Sequence, residues 1–443
     1  MIKKLVLVFI AVFAIKSYAQ EGTASPYSFY GIGSLKFKGT VENRSMGGIS
    51  VYSDSIHVNL RNPASNVSKN LGIYNEESRP VKFAVGGSHT NAKLKSQSGT
   101  DEVNSTTLDY IAMSFPIGKF GLGLGLIPYT SVGYQLETLN NDNRLTSQFR
   151  GEGGVNKAYT SIGYLVNNKL SLGVDFGFNF GNIKNNTIEY VYTNEGALAQ
   201  YQTREDNRSD LTGISLNFGA IYKTVLSNDF ELTTSLTYRP KSTLTSKNSR
   251  TFNTIIINAT NGNELVVNSI ESDLNAQGLK ETDLVLPAKL SLGAGIGQPN
   301  RWFVGAEYSM LNVSQFKNVL YDSSDDAGNV TYSNASTIAF GGFFIPDYNS
   351  FSSYLKRAVY RAGVRFENTG LNINDETINE FGISFGVGLP MGKPTANAFS
   401  NVNFGFEFGK KGTTDKNLIQ ENFINFQLSL SFNDRWFQKR KFN

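Results

Sequence analysis

Apolar and polar residues alternate with a period of two along much of this chain. From Leu170 to Gly181 one parity reads Leu170, Leu172, Val174, Phe176, Phe178 and Phe180, and the other Ser171, Gly173, Asp175, Gly177, Asn179 and Gly181. Phe381, Ile383, Phe385, Val387 and Leu389 likewise alternate with Gly382, Ser384, Gly386 and Gly388, and Phe404, Phe406 and Phe408 with Gly405, Glu407 and Gly409. Ile424, Phe426, Leu428, Leu430 and Phe432 repeat the pattern near the C-terminus. Successive side chains of a strand point to opposite faces, so each run predicts a strand with one apolar and one polar face. A soluble sandwich alternates too. Two features favour a transmembrane antiparallel β-barrel: the runs are about ten residues or longer, and their polar parity is crowded with Gly, Ser and Asn. Small residues suit a crowded lumen, whereas a solvent face would carry more Lys and Glu.

Fourteen such segments are predicted, at 71–90, 105–116, 118–135, 156–166, 168–192, 209–224, 229–247, 283–297, 300–315, 335–346, 356–368, 377–391, 400–411 and 419–433. The connections after even-numbered segments are mostly short, as at Pro116-Ile117-Gly118, Asn167, Ser227-Asn228 and Gln298-Pro299. Several after odd-numbered segments are long and polar: Glu137 to Val155, Thr193 to Arg208 and Asn248 to Thr282. Outer-membrane barrels have short periplasmic turns and longer outer loops, so both chain ends are expected in the periplasm.

The ends of the chain do not alternate. Lys3 and Lys4, the apolar run Leu5 to Ile15 and the ending Ser17-Tyr18-Ala19 predict a signal peptide over 1–19, cleaved before Gln20. Eleven apolar residues are too few to span a bilayer as a helix. Residues 20–70 lack a strand pattern but are rich in aromatics and paired glycines, and are read as a hatch or plug inside the lumen of a barrel covering 71–433. Residues 434–443 form a basic periplasmic tail in which Trp436 and Phe437 suit the membrane interface. Lys439, Arg440 and Lys441 then meet anionic head groups or dock a periplasmic partner.

Composition narrows the chemistry. The absence of Cys removes disulfides, thiol nucleophiles and thiolate metal sites, and two histidines leave little for a His-rich metal centre. Loss of the leader removes three of 41 basic residues, leaving one more than the 37 acidic ones, so nucleic-acid binding has no electrostatic basis. His57 falls in the hatch and His89 on the first strand, and neither has a catalytic partner evident in sequence. Gly121-x-Gly123-x-Gly125 and Gly293-x-Gly295-x-Gly297 lie in alternating strands with no helix following, which excludes phosphate loops. Asp322, Asp325 and Asp326 lack calcium-loop spacing. No cofactor, metal or enzymatic activity is expected.

Arg44-x-Met46-Gly47-Gly48, Asp54 and Asn62-Pro63-Ala64 together resemble the N-terminal hatch signature of the FadL-type outer-membrane transporters of long-chain fatty acids and other hydrophobic compounds. Leu286-Pro287 leading into Leu290-Ser291-Leu292-Gly293, Arg361-Ala362-Gly363-Val364, and Phe385-Gly386-Val387-Gly388-Leu389-Pro390 are similar too, and the ending Ser431 to Phe437 resembles a divergent branch. The resemblance implies a 14-stranded barrel with a hatch, and passage of a hydrophobic ligand through the hatch and sideways out at a kinked third strand. Pro128, in the third segment, matches that kink because proline breaks a ladder bond. Some barrels of this branch are associated with protein secretion or assembly machines.

Strand parity points Asp175, Glu231, Lys289, Glu307, Arg361, Arg365 and Glu407 into the lumen. They form either a polar gate or an ion-paired filling that holds the plug. The expected function is outer-membrane transport of hydrophobic, fatty-acid-like molecules through the hatch and a lateral gap; the alternative is a non-transporting scaffold or cargo-binding subunit of a secretion or assembly complex. The expected partners are outer-membrane lipids, a hydrophobic ligand or protein subunits.

Overall fold

The computed structural model describes residues 22–54, 56–67, 81–226, 229–258, 261–312, 330–391 and 400–434. The leader at 1–19, the acidic cluster at 322–329 and the tail residues Trp436, Phe437, Lys439, Arg440 and Lys441 lie outside the described residues.

Fourteen antiparallel strands form one closed barrel. They are β1 (Val81–Lys95), β2 (Thr100–Ile117), β3 (Phe120–Leu139), β4 (Leu145–Leu165), β5 (Leu170–Glu189) and β6 (Gln202–Val225). Next come β7 (Glu231–Arg239 continued by Ser242–Ile257), β8 (Glu264–Glu271, Glu281–Leu286 and Lys289–Gln298) and β9 (Trp302–Asn312). The circuit ends with β10 (Val330–Tyr332 and Asn334–Phe344), β11 (Val359–Ile373), β12 (Glu376–Met391), β13 (Ser400–Lys411) and β14 (Gln420–Asp434). Closure is a full ladder between β14 and β1, from Gln420 opposite Lys95 to Asp434 opposite Val81. Every backbone group inside a bilayer needs a partner, and this ladder supplies it where the two ends of the sheet meet.

The alternation sorts faces as the pattern requires. Ser171, Asp175 and Asn179 are buried in the lumen, whereas Leu172, Phe176 and Phe178 on the same strand are exposed outward. Aromatic pairs ring the rim that carries the short turns: Phe83 stacks with Phe432, Phe120 meets Tyr164, and Phe230 packs edge-on against Trp302. Such girdles mark the edges of the hydrocarbon layer.

The outer connections differ from the sequence expectation. The stretches read as loops at 137–155 and 248–282 are largely strand, and 193–208 is strand over its last seven residues: β3 and β4 join through a turn at 140–144, β6 begins at Gln202, and β7 continues to Ile257. These outer halves stand beyond the hydrocarbon layer, and their buried inward face carries the polar Gln148, Gln202, Asn207, Asn248 and Asn253, so apolar alternation fades while the backbone ladder persists. Charge pairs stitch them instead, with Glu264 bound by Arg150 and Arg204 at 2.7 Å each.

Residues 22–54 and 56–67 lie inside the barrel. A short helix, α1 (Val41–Arg44), is closed by a capping box between Thr40 and Asn43. Ile32 packs with Val132, Val155 and Leu211, Val41 with Tyr110 and Ala112, and Met46, Ile49 and Val51 with Phe303 and Phe343. Glycines on the lumen parity let the two backbones touch. A Cβ on Gly341 would sit 2.1 Å from Met46 O, one on Gly363 2.2 Å from Gly47 N, and one on Gly173 2.5 Å from Ala64 N. The segment is seated in slots that any side chain would fill.

Candidate functional site at the hatch and the β2–β3 seam

The hatch signature residues are placed to hold this seat. Arg44 ends α1 and reaches Asp109 on β2 at 3.0 Å and Glu407 on β13 at 3.5 Å. Met46 is buried, and Gly47 and Gly48 adopt φ of 71° and 88°, a turn that other residues enter at a cost. Gly47 N donates to Ser384 Oγ at 2.9 Å. Asn62 caps the turn Pro63–Asn66 by accepting from Ala64 N at 3.0 Å, and its side-chain amide donates to Ala220 O at 3.3 Å. Asp54 accepts from the His57 backbone at 2.7 Å and meets the His57 ring at 2.8 Å. Burial pushes the Asp54 carboxyl up, but His57 and Lys82 outweigh it and hold it well below the usual carboxylate range.

The lumen charges face the hatch. Glu307 accepts from Ser50 N at 2.7 Å and Ser50 Oγ at 2.8 Å, and pairs with Arg61. Arg365 binds Glu380 and Glu407 at 2.6 Å each, and Lys38 of the hatch reaches the same Glu380 at 2.5 Å. Arg361 donates to Asn403 at 3.1 Å, Asp175 accepts from Asn217 at 2.8 Å, and Glu231 lies 3.6 Å from Lys223. Lys289 lines, with Arg61, Lys157, Arg239 and Arg365, a cavity of about 190 Å³ beside the hatch. Leu35, Phe37, Leu60, Ile127 and Leu311 line the same space, so its wall is mixed polar and apolar. The hatch cations Lys38 and Arg61 and the wall carboxylate Glu380 were not singled out from sequence. Their only signal is a basic residue in a segment expected to be buried, which needs an acid opposite.

Pro128 sits at a break in the wall. The ladder between β2 and β3 runs from Ile117 opposite Phe120 to Ile111 opposite Leu126, and stops two residues before Pro128. On its other side β3 pairs with β4 with a bulge between Pro128 and Thr130. Beyond the break the hatch takes the place of β2. Ser34 and Leu35 pair antiparallel with Ser131 and Thr130, and Lys36 N donates to Tyr129 O at 3.0 Å. Gly133 N donates to Ser28 Oγ at 3.1 Å. A cavity of about 510 Å³ opens at the same seam, bordered by Leu108, Ile111, Leu126 and Pro128 together with Lys36, Glu152 and Asn156.

Of the two histidines, His57 meets Asp54 through Nδ1 at 2.8 Å, while its buried Nε2 lies 3.9 Å from Glu42 Oε1 and makes no hydrogen bond. His89 is exposed and contacts Thr106.

Solved structures share this architecture at low identity. The toluene transporter TbuX of Ralstonia pickettii is 15% identical, with 89% of this chain and 97% of that one covered and a TM-score of 0.56. A FadL homologue of Pseudomonas aeruginosa is 13% identical over 92% and 99%, with a TM-score of 0.55. The monoaromatic hydrocarbon channel CymD is 14% identical over 90% and 98%, with a TM-score of 0.51. The fold is therefore that of the FadL-type outer-membrane barrels, whose similar structures are channels and transporters rather than enzymes. No curated protein matches the chain. The family model described as BamG matches residues 1–443, and this protein belongs to the BamG family.

Proposed function

We propose that this barrel works as a non-transporting FadL-fold subunit of an outer-membrane protein secretion or assembly complex, with both chain ends in the periplasm. The observation that carries the reading is the occupied seam: Ser34 and Leu35 complete the β3 edge where a laterally moving ligand would leave. The hatch is also held by buried ion pairs and by glycine slots, so clearing a path would break many contacts together.

A second feature supports a protein partner. The first segment of β8, Glu264–Glu271, ladders with β7 far beyond the membrane-crossing stretch Glu231–Arg239 and exposes Leu265 at 65% and Ile270 at 62%. Exposed apolar side chains grouped in this way are a surface on which another protein can pack.

The test is purification of the full chain from its native membrane in mild detergent, with mass spectrometry of proteins and lipids together. Stoichiometric protein partners without an enriched hydrophobic compound support the subunit reading. An isolated barrel carrying a hydrophobic compound would reverse it.

The second reading is transport of hydrophobic small molecules. The seam cavity of about 510 Å³ with Leu108, Ile111 and Leu126 at its border favours it, as does the fold shared with toluene transporters. It requires Ser34 and Leu35 to leave the β3 edge.

A further inference from the structure

The connection between β10 and β11 is long for its end of the barrel, running from Ile345 to Ala358, whereas β2 joins β3 through Gly118 and Lys119. Its two halves face different surroundings. Ile345 is buried in the cluster that contains Met46, Ile49 and Val51 of the hatch. Phe351 is 82% exposed and Leu355 62%, with Tyr354 half exposed beside them. This is more apolar surface than a loop in water ordinarily shows.

Two tyrosine hydroxyls fix which side of the rim these residues occupy. Tyr360 lies on the outward parity of β11, next to the buried, inward Arg361, and its hydroxyl donates to Leu355 O at 3.1 Å. The Tyr354 hydroxyl donates to Pro390 O at 3.0 Å, near the end of β12. The turn is thereby tied to the outward side of the wall, beside the exposed girdle residues Phe344 and Tyr360. Arg357 sits 5.3 Å from the Tyr354 ring, with the exposed Lys356 alongside. Aromatic and aliphatic tips next to two cations suit the head-group layer, where the apolar ends sink and the cations meet phosphates.

We propose that residues 345–358 form an interfacial lipid clip, with Phe351, Tyr354 and Leu355 inserted in the head-group region of the leaflet at the short-turn rim. The inserted surface is continuous with the lipid-facing belt of the barrel. Through Ile345 the same loop touches the hatch.

The chain has no cysteine, which makes single-site labelling clean. Ser352→Cys in the clip and Asn141→Cys at the opposite rim, each carrying a nitroxide, are placed in the full chain in nanodiscs of phosphatidylethanolamine and phosphatidylglycerol. Power saturation then compares collision with oxygen and with a nickel chelate. Oxygen should prevail at position 352 and the chelate at 141. Adding Phe351→Ser and Leu355→Ser should move the 352 label to the aqueous pattern while the barrel keeps its heat-modifiable migration. Chelate access at 352 equal to that at 141 would overturn the proposal. So would shielding of 352 from both reagents, which would mean that protein covers the patch, or a label that does not move in the double-serine background.

Discussion

The Ser28 hydroxyl lies 3.1 Å from the backbone nitrogen and 3.0 Å from the backbone oxygen of Gly133, on the part of β3 that has lost β2. Its single hydrogen is shared between Gly133 O and Ser25 O, the latter at 2.7 Å. One side chain of the hatch thus does the work of a neighbouring strand for one residue of the wall. Ser28→Ala leaves two backbone groups of Gly133 without that partner, at a cost of about 1–3 kcal/mol. Faster amide hydrogen exchange across Tyr129 to Gly133, with the rest of β3 unchanged, is the expected outcome.

The glycine slots predict a steric effect. Gly363→Ala would bring a methyl group to 2.2 Å from Gly47 N and Gly341→Ala one to 2.1 Å from Met46 O. Either backbone must then retreat, at about 1–3 kcal/mol. Limited proteolysis should cut the segment around Arg44 sooner in both variants, with barrel migration preserved. Gly99, which has open space around it, is the control, and Gly99→Ala should leave cleavage unchanged.

The Arg365 cluster is a buried network and not a set of independent pairs. Arg365→Met leaves Glu380 and Glu407 short of a partner and should lower stability by about 3–5 kcal/mol. Glu407→Gln in that background removes one uncompensated charge, so the double variant should be more stable than the sum of the two single changes predicts. Thermal melts of the four proteins in detergent check this.

Acid should loosen the hatch only late. A carboxyl whose folded pKa is depressed contributes stability that is fully present above its unfolded value, about 3.9, and is lost as pH falls through the folded value. Asp54 is such a group, held down by His57 and Lys82 against the opposing effect of burial. Protease resistance of the hatch should therefore persist from neutral pH to about 4 and decline below it. Asp54→Asn should be weaker at neutral pH and show a flatter acid decline.

The wall was more legible in the sequence than its contents. Leu172, Phe176 and Phe178 against Ser171, Asp175 and Asn179 state the inner and outer faces directly, because bilayer and lumen impose opposite demands on alternate positions. Each of the fourteen predicted segments overlaps one strand. The outer halves of β4, β6 and β7 were missed because their buried inward positions, such as Gln148, Gln202, Asn207, Asn248 and Asn253, are as polar as the outward ones, which removes the contrast on which periodicity rests. In the hatch, Arg44, Gly47 and Asn62 stood out by their resemblance to a hatch signature, but their partners Asp109, Ser384 and Ala220 are distant in sequence and follow no local pattern. Ser34 and Leu35 gave no signal at all. A two-residue strand has no period, and its role depends on where β2 ends.

Fixing that strand in place tests the central claim. Ser34 and Ser131 are direct antiparallel partners, a separation that a disulfide spans, and the chain offers no competing thiol. The double variant Ser34→Cys, Ser131→Cys is oxidised in cells that depend on this protein, and growth and protein partners are compared with and without reductant. A subunit whose hatch is permanent filling should support growth and keep its partners equally well when locked. Loss of function on locking, restored by reductant, would show that the hatch strand must leave the seam and would contradict the account.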